Sequence, residues 1–364
     1  MISHLFPQWV LVVAGFVFSF MVTWMGVPAV VRVARIKGLY DMPGDRTCHL
    51  EPTPRLGGTM IFAGLIISSV LFTGFSNAYE LKYIIAGLIV LFFVGLKDDI
   101  VALQPYKKAI GQLLAALIIV VPGEIRISSL FGLAGITEIP YLPSVLVSLL
   151  LVLFIINSIN FIDGIDGLAS GIGILVTVIL GVWFYFNGQP SYSVMCLSLT
   201  GALAAFFYFN VFSSRNKIFL GDTGSMIIGF MLAVMVIRFL RLNAFEESPD
   251  VFHQAPSLAL AFLFVPVFDT LRICIIRLMH GRSIFQGDNN HIHHRVLRLS
   301  GSHLKATLVI ISANMILIAV TYLMRKLSNP AIMLFLLGMG VLFSIILGIR
   351  PKGNSKGQDC SGSE

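Results

Sequence analysis

Runs of apolar residues, broken by Gly, Pro, Asn or charge, fall at residues 8–31, 56–74, 83–96, 109–122, 141–160, 168–186, 191–212, 224–240, 256–277, 306–324 and 330–349. A helix needs about 20 apolar residues to cross a bilayer. Apolarity that continues without period-two alternation excludes a transmembrane β-barrel. The pattern predicts an all-α integral membrane protein, a polytopic bundle of about eleven transmembrane helices. The runs 83–96 and 109–122 have only 14 residues each; they fit tilted helices, helices extended by their neighbours, or segments that dip without crossing. Trp9 to Val31 lacks the basic leader and small-residue cleavage site of a signal peptide and is expected to stay as the first span. No strong internal repeat is visible, so residues 1–350 read as one transmembrane domain, and the Gly/Ser/Lys-rich segment 351–364 as a disordered tail.

Composition agrees with a lipid solvent. Of 364 residues, 57% are apolar and 12% charged, about half the charge of a soluble domain, which excludes a soluble enzyme on a single anchor and a disordered chain. The net charge of +7 does not indicate nucleic acid, because in a polytopic protein the placement of Lys and Arg reports topology. With the N-terminus outside, the inner connections hold 19 of the 25 Lys and Arg residues, which predicts that orientation and a cytoplasmic C-terminus. Cys48, Cys196, Cys274 and Cys360 are scattered singly and indicate neither a disulfide framework nor a zinc site.

Carboxylates at the ends of spans are costly and therefore informative. Asp98 and Asp99 follow the third run, Asp163 and Asp166 lie in Asn160-Phe161-Ile162-Asp163-Gly164-Ile165-Asp166-Gly167, and Asp222 lies in Phe219-Leu220-Gly221-Asp222-Thr223-Gly224-Ser225. The predicted topology puts all five on the cytoplasmic face, where they are expected to converge. An Asp before a helix also serves as a cap. Capping accounts poorly for the adjacent pair, whose like charges need a cation between them. Gly-rich turns entering helices expose N–H groups suited to phosphate. Carboxylates with such turns suggest a divalent cation, Mg²⁺ or alternatively Mn²⁺, holding a phosphorylated ligand.

The connection before residue 306 carries Asp288-Asn289-Asn290-His291-Ile292-His293-His294-Arg295. Its histidines allow a zinc site or a plain solvated loop. The reading adopted is an anion-binding loop in which His291, His293, His294 and Arg295 face phosphate or sugar. Lys107 and Lys108 either add positive charge to the site or only mark topology.

Five pieces resemble the polyprenyl-phosphate N-acetylhexosamine-1-phosphate transferases. They are Pro52-Thr53-Pro54-Arg55-Leu56-Gly57-Gly58, Leu96-Lys97-Asp98-Asp99, Asn157 through Gly167, Phe219 through Ser225, and His291-Ile292-His293-His294, in the family's order and across most of the chain. The resemblance implies transfer of a sugar 1-phosphate from a UDP-sugar to a membrane polyprenyl phosphate, with Mg²⁺ required and UMP released. It implies Asp222 as metal ligand with Asn160 as a second. It gives Asp98 the role of accepting the lipid phosphate's proton or holding that phosphate, with Asp99 beside it. Asp163, Asp166, Asn210 and Phe219 fall on the nucleotide side, where Phe219 would stack on uracil and Asp163 would support the site. His-Ile-His-His, and Arg55 before the hydrophobic-Gly-Gly, resemble the branch that moves N-acetylglucosamine 1-phosphate; Lys97 before the acidic pair is unusual. The implied partners are a UDP-N-acetylhexosamine, undecaprenyl phosphate and the bilayer of a bacterial plasma membrane, with a homodimer as the candidate assembly. A muramoyl-pentapeptide donor is the alternative within the class, and a membrane transporter the alternative outside it.

Overall fold

The computed structural model describes residues 6–40, 53–73, 79–245, 251–281 and 291–348. The tail 351–364, Pro52 and the segment holding Asp288 to Asn290 lie outside them. Thirteen α-helices follow in order among the described residues: α1 (Gln8–Lys37), α2 (Gly57–Phe72), α3 (Leu81–Ile100), α4 (Pro105–Val120), α5 (Tyr141–Ile162), α6 (Leu168–Phe186), α7 (Pro190–Val211), α8 (Gly221–Ala244), α9 (Ala255–Phe262), α10 (Phe264–Met279), α11 (Ile292–Ser300), α12 (His303–Leu323) and α13 (Asn329–Gly348). Every apolar run contains a helix, and no strand occurs among the described residues, where Ser129 and Glu138 form an isolated bridge.

Seven of these helices are long and apolar enough to cross a membrane, and the bent pair α9–α10 would make eight. This supports a polytopic membrane protein but leaves the count below eleven. α2 and α4 have 16 residues each, and α3, though 20 residues long, carries Lys82, Lys97, Asp98 and Asp99. The run 256–277, expected as one span, is broken at Leu263 with a bend of 79°. Pro266 is the local cause: it has no N–H to donate and its ring crowds the carbonyl of Phe262. Asn314 of α12 supplies the missing bonds, accepting the Val265 N–H at 3.3 Å and donating to the Phe262 carbonyl at 3.2 Å. Backbone freed inside an apolar bundle persists only with such partners.

α8 occupies the centre, packed against α2, α3, α5, α6 and α9. From Thr223 to Ile237 it carries no charged residue, as an enclosed stretch of helix requires, and these residues are buried without exception. α1, α4 and α13 lie outside and present large apolar side chains outward, including Trp9, Ile110, Leu334 and Val341. At the end of the bundle remote from the five aspartates, Glu80 accepts from Tyr192 and lies 3.5 Å from Arg238 and 4.0 Å from Arg241. Two of the six cations on the predicted outer face thus share one carboxylate, which offsets one of their two charges.

Candidate active site

The N-terminus of α8 is built by a trans contact. Phe219 donates its N–H to the Pro54 carbonyl at 2.8 Å, and Gly57 and Gly58 donate to the carbonyls of Phe219 and Leu220 at 2.9 Å each. The first-loop motif and the Gly-Asp-Thr-Gly motif are thus one unit. Gly221 has φ +74°, and a Cβ there would press on the Arg55 carbonyl and the Asp99 carboxylate, so glycine is required on both counts. Asp99 closes the unit: Oδ1 accepts the Asp222 N–H at 2.6 Å, while Oδ2 accepts the Thr223 N–H at 3.0 Å and the Thr223 hydroxyl at 2.5 Å. An anion at a helix N-terminus satisfies orphan donors and complements the dipole. Asp99 therefore departs from its expected place beside Asp98, because both its oxygens are spent on α8.

Asp98 turns the other way. It accepts the Leu103 N–H at 2.6 Å and lies 3.2 Å from the Lys108 ammonium, which also donates to Asp222 Oδ1. Asn160 donates to that same Asp222 oxygen at 2.6 Å and to the Ser225 hydroxyl at 2.8 Å. Helices α3, α4, α5 and α8 thus deliver Asp98, Lys108, Asn160 and Asp222 to one point. Asp163 joins this acidic group: burial, then the carboxylates of Asp222, Asp99 and Asp166, push its carboxyl well above the usual range, against the pull of Arg55. Lys107 does not join, being exposed with its ammonium 5.8 Å from the Tyr106 ring centroid.

On the expected nucleotide side, Asp166 pairs with Lys217 at 2.8 Å, and its carbonyl accepts the Thr307 hydroxyl of α12 at 2.8 Å. Half-buried Phe219 lies beside this pair, its ring centroid 5.8 Å from the Lys217 ammonium. Asn210, expected to line a nucleoside pocket, is buried; it accepts the Gly167 N–H at 2.6 Å and donates to the Ile218 carbonyl at 2.9 Å. It ties the turn after α5 to the segment before α8 from beneath.

The histidine segment forms the short helix α11. Here the structure adds a residue that sequence reasoning passed over, Asp269 of α10, which is 2% exposed. Asp269 Oδ1 accepts the Ile292 N–H at 2.9 Å, and Oδ2 lies 3.2 Å from His291 Nδ1 and 3.0 Å from His293 Nδ1. Burial lowers the His293 pKa despite the attraction of Asp269, and burial with the neighbouring imidazoles lowers that of His294 to about 4. Of the four residues expected to face phosphate or sugar, His291 and His293 thus spend their Nδ1 atoms on Asp269. Arg295 is half-buried on the same helix. The turn between α5 and α6 separates the two clusters, with Asp163 on the acidic side and Gly164 against His293 and His294. The signal for Asp269 was present, an acidic residue within an apolar run.

The residues fit a hard divalent cation on one observation: the Lys108 ammonium bridges Asp98 and Asp222, so a positive charge is already accommodated among carboxylates and an amide. Asp269, His291 and His293 form a second group, with ligand atoms within 4.8 Å of one another.

Residues 81–240, which carry every member of the acidic cluster, match the model described as glycosyl transferase family 4. A helical membrane bundle with this site at one end is thereby placed in a class of membrane transferases. The chain is 32% identical over 312 residues to decaprenyl-phosphate N-acetylglucosaminephosphotransferase of Mycobacterium tuberculosis (strain ATCC 25618 / H37Rv), covering 79% of this chain and 76% of that protein. It is 28% identical over 338 residues to the probable undecaprenyl-phosphate N-acetylglucosaminyl 1-phosphate transferase of Bacillus subtilis (strain 168), covering 92% and 91%. The undecaprenyl-phosphate alpha-N-acetylglucosaminyl 1-phosphate transferase of Escherichia coli (strain K12) is 28% identical over 293 residues, covering 79% and 77%. The chain belongs to the polyprenyl-phosphate N-acetylhexosamine-1-phosphate transferase family.

Proposed function

We propose that the protein transfers N-acetylglucosamine 1-phosphate from UDP-N-acetylglucosamine to undecaprenyl phosphate on the cytoplasmic face of a bacterial plasma membrane, giving undecaprenyl-diphosphate-N-acetylglucosamine and UMP. The observation that carries the proposal is the meeting of Asp98, Lys108, Asn160 and Asp222 at one bundle end, in a chain whose relatives are named for this transfer. Eleven crossings with an external N-terminus remain the preferred topology, supported by the cation distribution and by the Glu80 carboxylate that two outer-face arginines share.

An oxygen of the lipid phosphate attacks the sugar-linked phosphorus, and the bond to the uridylyl phosphate breaks. A monoester phosphate has its second pKa near 6, so the nucleophile is already largely ionised and needs no strong base. Asp98 then serves to place the lipid phosphate through the Lys108 ammonium it holds, and Lys108 screens the repulsion between two anions, which is the main demand of phosphoryl transfer. Mg²⁺, when bound by Asp222 and Asn160, would neutralise charge on the diphosphate. Asp99 keeps the α8 N-terminus in register with Asp222. Asp166, Lys217 and Phe219 form the nucleoside side. The test is UMP release by purified protein with undecaprenyl phosphate, Mg²⁺ and a panel of UDP-sugars. UDP-N-acetylglucosamine is expected to react fastest; a muramoyl-pentapeptide preference would reassign the donor, and no release from any donor would overturn the proposal.

A further inference from the structure

Asp269 is buried on α10 and faces three donors of the α11 segment. An ionised carboxylate only accepts hydrogen bonds. With Oδ2 at 3.2 Å from His291 Nδ1 and 3.0 Å from His293 Nδ1, each Nδ1 carries the proton. In a neutral imidazole the other nitrogen is then a bare acceptor. His293 Nε2 is such an atom: it is buried, it has no hydrogen-bond partner among the described residues, and its side chain is 1% exposed. It points at the α5–α6 turn, 3.3 Å from where a Cβ of Gly164 would stand, with His294 Nε2 at the same distance. Asp163, on the acidic cluster, is the next residue. A buried acceptor left unmet at the edge of a binding site is a place for a ligand's donor.

We infer that Asp269 is a positioning residue: it holds His293 in the Nδ1–H tautomer so that Nε2 accepts a hydrogen bond from a hydroxyl or amide N–H of the bound nucleotide-sugar, and not from its phosphates. This rests on the donor proposed above. The diphosphate of a UDP-sugar is fully ionised at neutral pH and offers no proton, whereas the hydroxyls, the acetamido group and the uracil offer several. A lone pair aimed at phosphate would repel it. The three atoms gathered by Asp269 would also suit zinc, and the test separates the two.

Steady-state kinetics with UDP-N-acetylglucosamine would compare the wild type with Asp269→Asn, His293→Gln and the double variant. The Asn amide would donate to Nδ1 and reverse the tautomer, and kcat/KM is expected to fall about 10- to 100-fold. The Gln carbonyl oxygen stands in for Nε2 without help from Asp269, so Asp269→Asn should cost less than about 3-fold on the His293→Gln background. Equal losses in both backgrounds would mean a merely structural Asp269 and overturn the inference. In ¹⁵N NMR of histidine-labelled wild-type protein, His293 Nε2 should be unprotonated at pH 7; a protonated Nε2 would overturn the inference even if Asp269→Asn fails to fold. One equivalent of zinc in the purified protein, lost on Asp269→Asn, would overturn it as well. If the wild type releases no UMP, the functional proposal fails while the NMR result still decides the tautomer.

Discussion

Asp98 and Asp99 are adjacent in sequence, yet consecutive residues of a helix do not face each other. One meets the Lys108 ammonium and the other the first N–H groups of α8. Reading them as a pair followed from sequence proximity, which says nothing about where an oxygen points. The consequence is separable by mutation. Asp222→Asn is expected to lower UMP release by at least about a thousandfold, since it removes charge from the reacting point, with little change in the melting temperature of the detergent-solubilised protein. Asp99→Asn is expected instead to destabilise by about 1–3 kcal/mol, because the amide cannot accept all three donors; the same melting curve reports it, and unchanged stability would contradict the capping role. His294 sets a pH dependence. Its folded pKa of about 4 lies below its ordinary value, near 6.5, so the unfolded chain takes up a proton first as pH falls. Stability from this group is complete above about pH 6.5 and is lost progressively towards pH 4. His294→Gln should flatten the fall in melting temperature over that window.

At the scale of elements, the apolar runs located every helix except α11, because lipid burial requires long apolar stretches whatever the tertiary arrangement. The break between α9 and α10 was hidden for the same reason: a bent and a straight helix carry similar composition, and only Pro266 marked the place. Counting 256–277 as one span also concealed Asp269, which the rule on acidic residues in apolar runs would have flagged. The break depends on Asn314. Asn314→Leu, which keeps the size but removes both hydrogen bonds, is expected to cost about 2–5 kcal/mol from two orphaned backbone groups. It should lower the melting temperature more than the neighbouring exposed change Met315→Leu; equal effects would refute the bridging role.

For the whole molecule, the acidic cluster lies at one bundle end and the Glu80 cluster at the other, so topology fixes which membrane face performs the chemistry. In a cysteine-free background, Thr137→Cys in the exposed connection before α5 should react with a membrane-impermeant maleimide applied to intact cells. Gln104→Cys, exposed beside the acidic cluster, should react only after permeabilisation, and the reverse pattern would invert the proposed orientation. Motif order made the acidic convergence legible in the sequence, because widely separated turns shared one predicted face. The commitment of Asn210 to two backbone groups and of two histidines to Asp269 was not legible, since both depend on pairings across 43 and 22 residues that no local pattern encodes.

α12 holds the turn after α5 through Thr307 and the start of α10 through Asn314. Seven residues of helix separate these grips, about 10 Å at 1.5 Å per residue. The helix acts as a ruler that fixes how far the acidic end stands from the helix bearing Asp269. One alanine inserted between Ile310 and Ile311 would rotate one grip by about 100° against the other, so the spacing between the turn after α5 and the start of α10 is measured out by a rod anchored at both.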